Sequence, residues 1–108
     1  MISSKRTEDQ ITVYLHGEID HCAAQPLREE IERLIRPKEI KRLVLDFSQV
    51  AFMDSSGVGM LIGRYKTMLA KGGQVHACAL SAPVERLFRM AGLHRIISID
   101  EQERRKEA

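Results

Sequence analysis

The sequence predicts an α/β fold: one domain with a mostly parallel mixed sheet of about four to five strands and helices packed against it. Three observations predict this. After an initial pair of strands, strand-like and helix-like segments alternate along the chain. The run Leu43-Val44-Leu45-Asp46-Phe47 is almost continuously apolar, as suits a strand covered on both faces. Single helices between strands require crossovers, which are right-handed in parallel sheets.

The elements follow in order. Thr7 to Gln10 is polar and turn-like, with a weakly signalled short strand before it. Ile11 to Leu15 alternates at period two with β-branched and aromatic residues, and Gly17 is expected to end this second strand. A helix is expected from about Ala23 to Arg36. Ala24, Leu27, Ile31, Leu34 and Ile35 share one face, Pro26 sits near its start and Pro37 helps to stop it. Leu43 to Phe47 is the next strand, and Ser48 to Met53 is expected to connect it to a second helix over about Ser55 to Lys71. Gln74 to Leu80 reads as a buried strand entered through Gly72-Gly73. Ala82-Pro83 opens a short helix with Val84, Leu87, Phe88 and Ala91 inward and Gly92 at its C-terminal end. Ile96 to Ile99 is the last strand, and the tail from Asp100 to Ala108 is nearly all charged.

The 108 residues suit a single domain over 1–108, with a core at about 7–99 and a charged tail at 100–108. Seventeen basic and fifteen acidic residues are interspersed, giving a net charge of +2. That balance implies no strong field for nucleic acid or an anionic membrane. No apolar run is long enough to cross a bilayer, and Met1 to Arg6 lacks a signal peptide's apolar core, so a cytoplasmic location is expected. Cys22 and Cys78 make no disulfide framework, and with His21 and His76 they lack the usual zinc spacing. No metal and no cofactor are expected. Cys78, inside an apolar run, is expected to pack as a small buried hydrophobe.

The most informative stretch is Met53-Asp54-Ser55-Ser56-Gly57-Val58-Gly59. Asp54 is a good N-cap candidate, which puts Ser55 in the first helical turn among backbone N–H groups without helical partners. Negative charge is well tolerated there, so a serine at that place can act as a reversible charge switch when phosphorylated. The alternative is a capped helix start and nothing more. Helical spacing places Val58, Leu61, Ile62, Tyr65, Met68 and Leu69 inward and Ser56, Met60, Gly63 and Thr67 outward, with Met60 exposed. Gly57, Gly59 and Gly63 each weaken the helix by about 1 kcal/mol relative to alanine. Close packing on the sheet and close approach by a partner are equally good compensations.

Phe52 to Gly59 resembles the phosphorylation motif of bacterial anti-sigma factor antagonists, the STAS domain family. Gly17-Glu18-Ile19-Asp20 resembles that family's segment after the second strand, and Gly63-Arg64-Tyr65-Lys66 and Val84 to Leu93 are similar to the sporulation subgroup, which acts on sigma factor F. The resemblance spans about Ile11 to Ile99. It implies a STAS-type domain that is not an enzyme, is a monomer when free, and binds an anti-sigma factor that is also a serine kinase. Unphosphorylated, such an antagonist releases the sigma factor. The kinase inactivates it and a metal-dependent serine phosphatase restores it. Carried over by motif position, Ser55 is the phosphate acceptor and Ser56 a lesser candidate. Asp20, His21, Asp54, Ser55, Ser56, Gly57, Gly59, Met60 and Gly63 form the expected partner-binding set, Met60 on the strength of its helical position. Cys22 and Pro26 depart from the subgroup's pattern.

Other readings differ in class. A STAS domain serving another pathway, such as a general stress response, keeps the switch and changes the partner. A serine-nucleophile enzyme would need a base from His16, His21, His76 or His94, but Gly-x-Ser-x-Gly is absent around Ser55. A nucleotide-binding domain is disfavoured because Gly57-x-Gly59-x-x-x-Gly63 matches neither the dinucleotide fingerprint nor the P-loop.

Overall fold

The computed structural model describes residues 2–100. The expected charged tail lies outside these except for Asp100. Strands β1 (Ile2–Thr7), β2 (Gln10–Ile19), β3 (Arg42–Met53), β4 (Gln74–Cys78) and β5 (Ser98–Ile99) alternate after β2 with helices α1 (His21–Ile35), α2 (Ser55–Ala70) and α3 (Ala82–Met90). A single turn of 3-10 helix, Leu93–Arg95, leads into β5. The sheet runs β1-β2-β3-β4-β5, with β1 antiparallel to β2 and the other neighbours parallel. Because the parallel strands advance across the sheet in chain order, right-handed crossovers put α1, α2 and α3 on one face.

That face holds the core. Val13, Leu15, Leu43, Leu45, Phe47 and Ala77 are fully buried beneath the helices. Phe47 meets Phe88 of α3 edge to face, with ring centroids 5.6 Å apart. Cys78 is buried, as its apolar run implies, and Cys22 is exposed. The opposite face is not the second covered face that the apolar run of β3 suggests. Thr12, Tyr14, Asp46 and His76 are only half-buried there, although Val44 and Cys78, in register with them, are buried.

Two strands are longer than the sequence implies. Gly17 does not end β2: it takes a left-handed conformation (φ 78°) within the strand, where the pairing with β3 shifts register. Such a bulge lets β2 continue to Ile19. Ser48 to Met53 is not a connector, because the extension of β2 gives it a partner through the pairs His16–Gln49, Gly17–Val50, Glu18–Phe52 and Ile19–Met53. The weakly signalled first strand is present over six residues. Pro26 lies beyond the first turn of α1, because Asp20 starts the helix earlier than expected by accepting a hydrogen bond from Ala23 N at 3.0 Å. Ile96 and Ile97 belong to the approach to β5 rather than to the strand.

Candidate functional site: two adjoining helix mouths and the groove between them

The added length of β2 and β3 builds the site. Ile19 and Met53 pair at the strand ends, so the chain leaves the sheet at neighbouring points and starts a helix at each. Asp20 and Asp54 cap these helices with nearly the same backbone conformation, φ −103° and ψ −170° against φ −112° and ψ −170°. Asp54 Oδ1 accepts from Ser56 N at 2.8 Å. Asp54 N donates to Ile19 O at 3.2 Å and ties the two mouths together. Asp20 therefore lies beside the motif. Each carboxylate satisfies a first-turn N–H and meets the positive end of a helix dipole.

Ser55 is the first residue of α2 and is exposed; Ser56 is half-buried. His21 is exposed at the first position of α1. Phe52, which sequence reasoning did not single out, is 48% exposed two residues before Asp54. Its register could have been read only once β3 was known to run past Phe47.

The glycines divide by role. A Cβ at Gly57 would lie 2.4 Å from Met53 Cγ and 3.0 Å from Ile19 Cγ2, so α2 sits against the strand ends only because Gly57 has no side chain. A Cβ at Gly59 or at Gly63 would meet nothing within 4 Å. Packing within the chain accounts for the first glycine and not for the other two.

The expected helical phase of α2 needs correction. Met60 is 4% exposed and belongs to the core, whereas Leu69, expected inward, is 55% exposed. Val58, Ile62 and Tyr65 are half-buried, and the buried line runs through Gly57, Met60, Leu61, Arg64 and Met68. The cause is that α2 packs on α1 as well as on the sheet, which turns its buried face toward α1. Arg64 is the member of that line which a search for apolar residues could not find. Its Nε stands 2.7 Å from Glu32 Oε1 of α1 in an ion pair, and its Nη1 is buried without a hydrogen-bond partner. Thr67 Oγ1 donates to Glu32 Oε2 at 3.0 Å. Burial is the largest influence on Arg64 and lowers its pKa; Glu32 opposes this and the like charge of Arg28 adds to it.

Between the first turns of α1 and α2 lies a groove of about 440 Å³, lined by His21, Gln25, Arg28, Ser56, Gly59 and Met60 together with Ala24. Met60 is thus a core residue that also lines this groove. A second, polar depression of about 290 Å³ lies on the open sheet face, around Lys5, Tyr14, Arg42, Asp46 and Asp100, away from the motif. There His76 Nδ1 is 3.1 Å from Asp100 Oδ1. Among the described residues no group of three or more His, Cys, Asp or Glu side chains could hold a metal ion, and no helix is long and apolar enough to cross a membrane.

A five-stranded mixed sheet with three helices on one face is the architecture of a STAS domain. The STAS domain model matches residues 1–105, and the chain belongs to that family. Among its relatives is the anti-sigma F factor antagonist of Paenibacillus polymyxa, 38% identical over 93 residues that cover 86% of this chain and 80% of that one. The anti-sigma-B factor antagonist of Bacillus subtilis is 36% identical over 98 residues, covering 91% and 88%. Among solved structures, the Bacillus cell fate determinant SpoIIAA in its phosphorylated form superposes with a TM-score of 0.73 at 27% identity, covering 93% of this chain and 91% of that one.

Proposed function

We propose that this chain is an anti-sigma factor antagonist acting in the sigma-F pathway of sporulation, and that phosphorylation of Ser55 switches its binding. Unphosphorylated, it binds an anti-sigma factor that is also a serine kinase and so frees the sigma factor. That kinase phosphorylates Ser55, and a metal-dependent serine phosphatase reverses the step. The protein is a cytoplasmic monomer when free and contacts neither nucleic acid nor membrane.

One observation carries the reading: Ser55 stands exposed at the mouth of α2, beside a helix face that Gly59 leaves bare with no packing need of its own. Exposure lets a kinase reach the hydroxyl, and a bare helix face admits a partner's surface closely. A phosphate brings about −1.5 to −2 charges to that edge, which favours the helix N-terminus and opposes a partner that had accepted a neutral serine.

The relatives named for sigma F and for sigma-B are similar to this chain to nearly the same degree, so a general stress response is the second reading. Calorimetry against the anti-sigma F factor of Paenibacillus polymyxa and the anti-sigma-B factor of Bacillus subtilis separates the two. Tighter binding to the former is expected, and tighter binding to the latter moves the protein to the other pathway. Incubation of the binding partner with ATP and the protein, followed by peptide mapping, should find phosphate on Ser55 and none in Ser55→Ala. Phosphate mainly on Ser56 would overturn the assignment.

A further inference from the structure

The groove between α1 and α2 has a charge that the switch alone does not explain. The Arg28 guanidinium lines it, and no carboxylate does. The nearby carboxylates lie outside this lining and accept hydrogen bonds of their own. Asp20 and Asp54 accept from backbone N–H groups of their own helices. Glu29 accepts from Gln25 Nε2 at 3.0 Å, and Glu32 is held by Arg64 and Thr67. Arg28 itself is exposed.

We propose that this groove receives an acidic side chain of the anti-sigma factor, with Arg28 as its principal contact. The proposal rests on reading the chain as an anti-sigma factor antagonist, and it specifies the chemistry of the partner. Three features support this occupant. The lining offers the exposed Arg28 guanidinium as a charged donor to a carboxylate. The bare Gly59 keeps the wall on the α2 side low enough for a partner's chain to come close. Apolar surface from Ala24 and Met60 lies beside the donors, as a side chain with a methylene stem requires. The groove also gives the switch a local target. Ser56 lines it and Ser55 is the next residue, so a phosphate on Ser55 sets its negative charge at the rim and repels the incoming carboxylate.

The test measures binding of wild type, Arg28→Gln and Arg28→Lys to whichever of the two anti-sigma factors binds the wild type. Circular dichroism checks that each variant keeps its fold, which an exposed position allows. Arg28→Gln should bind about tenfold more weakly, as expected for losing one charged hydrogen bond. Arg28→Lys should retain most of the affinity, and the difference between Gln and wild type should shrink at about 0.5 M salt. Wild-type binding by Arg28→Gln, or equal losses in Gln and Lys, overturns the proposal. A second arm keeps the groove separable from the functional reading. A hexaglutamate peptide titrated into the isotope-labelled protein should shift the amide signals of Gln25, Arg28 and Gly59 in wild type and not in Arg28→Gln. If wild type binds neither anti-sigma factor but these shifts appear, the antagonist reading fails while the groove remains a carboxylate site. If the shifts are absent, the groove proposal fails.

Discussion

At Gly57 a Cβ would lie 2.4 Å from Met53 Cγ and 2.8 Å from its Sδ, whereas at Gly59 it would have open space around it. Alanine should therefore act with opposite sign at the two positions. Gly57→Ala forces Met53 and the fully buried Ile19 to move, and overpacking of this kind costs about 1–3 kcal/mol. Gly59→Ala relieves the helix of a glycine and should gain up to about 1 kcal/mol. For a domain of this size that is a rise in melting temperature of about 4–8 °C. If the bare face at Gly59 is reserved for a partner, the same substitution should weaken binding while it raises stability. Thermal melts and calorimetry on both variants check this. A Gly59→Ala protein that is more stable and binds normally would show that nothing approaches that face. The residue scale is also where sequence reading reached furthest. Asp54 as cap, Ser55 in the first turn and Cys78 as buried packing all follow from residue type and immediate neighbours, because caps and small apolar residues act locally. Met60 does not, because its burial is decided by another helix.

Between elements, α1 and α2 are joined by polar contacts as much as by apolar ones. Glu32, Arg64 and Thr67 form one cluster along the shared face. Farther along, Lys71 Nζ donates to Ile35 O and to Pro37 O at the end of α1, and burial lowers the pKa of Lys71. Removing the anion leaves the Arg64 guanidinium, one-tenth exposed, without its counter-charge. Glu32→Gln should therefore destabilise the domain. Because Glu32 is itself 38% exposed, solvent screens part of the effect, and a loss of about 1–2 kcal/mol is expected rather than that of a fully buried pair. Arg64→Met, which keeps volume and removes the charge, should cost less. In the double variant most of the Glu32→Gln loss should disappear. Urea denaturation of the four proteins measures this, and additive losses would show that the two side chains do not interact. This pair also explains why the phase of α2 was misread. Apolar spacing finds the face that meets a sheet; it is blind to an arginine buried by an ion pair with a residue 32 positions earlier. The extension of β3 was hidden for a related reason. Ser48 and Gln49 look like a loop until the bulge at Gly17 supplies a paired strand, and neither stretch signals that alone. The alternating order, the apolar strands and the inward residues Val84 and Phe88 of α3 were legible because each follows from a periodicity within its own segment.

For the whole molecule, the sheet brings two helix mouths together at one end, while the core lies between sheet and helices beneath them. Ser55 touches that end without entering the core, and the two caps hold their turns through their own carboxylates. A charge placed on Ser55 therefore has no packing to disrupt and adds a favourable interaction of about 0.3–1 kcal/mol with the α2 dipole. Ser55→Asp should leave the circular dichroism spectrum unchanged and the melting temperature equal to or slightly above that of the wild type. Binding to the anti-sigma factor should fall, by less than phosphorylation produces, because aspartate carries a smaller charge on a different shape. The phosphorylated protein, made enzymatically and separated by ion exchange, serves as the reference in the same calorimetric titration. Weak binding together with an unchanged fold means that the modification acts at the contact surface. A drop in melting temperature or a loss of helical signal in either charged form would mean that Ser55 supports the fold, and that the switch works by unfolding the first turn of α2. Unchanged affinity in both charged forms would remove Ser55 from the interface.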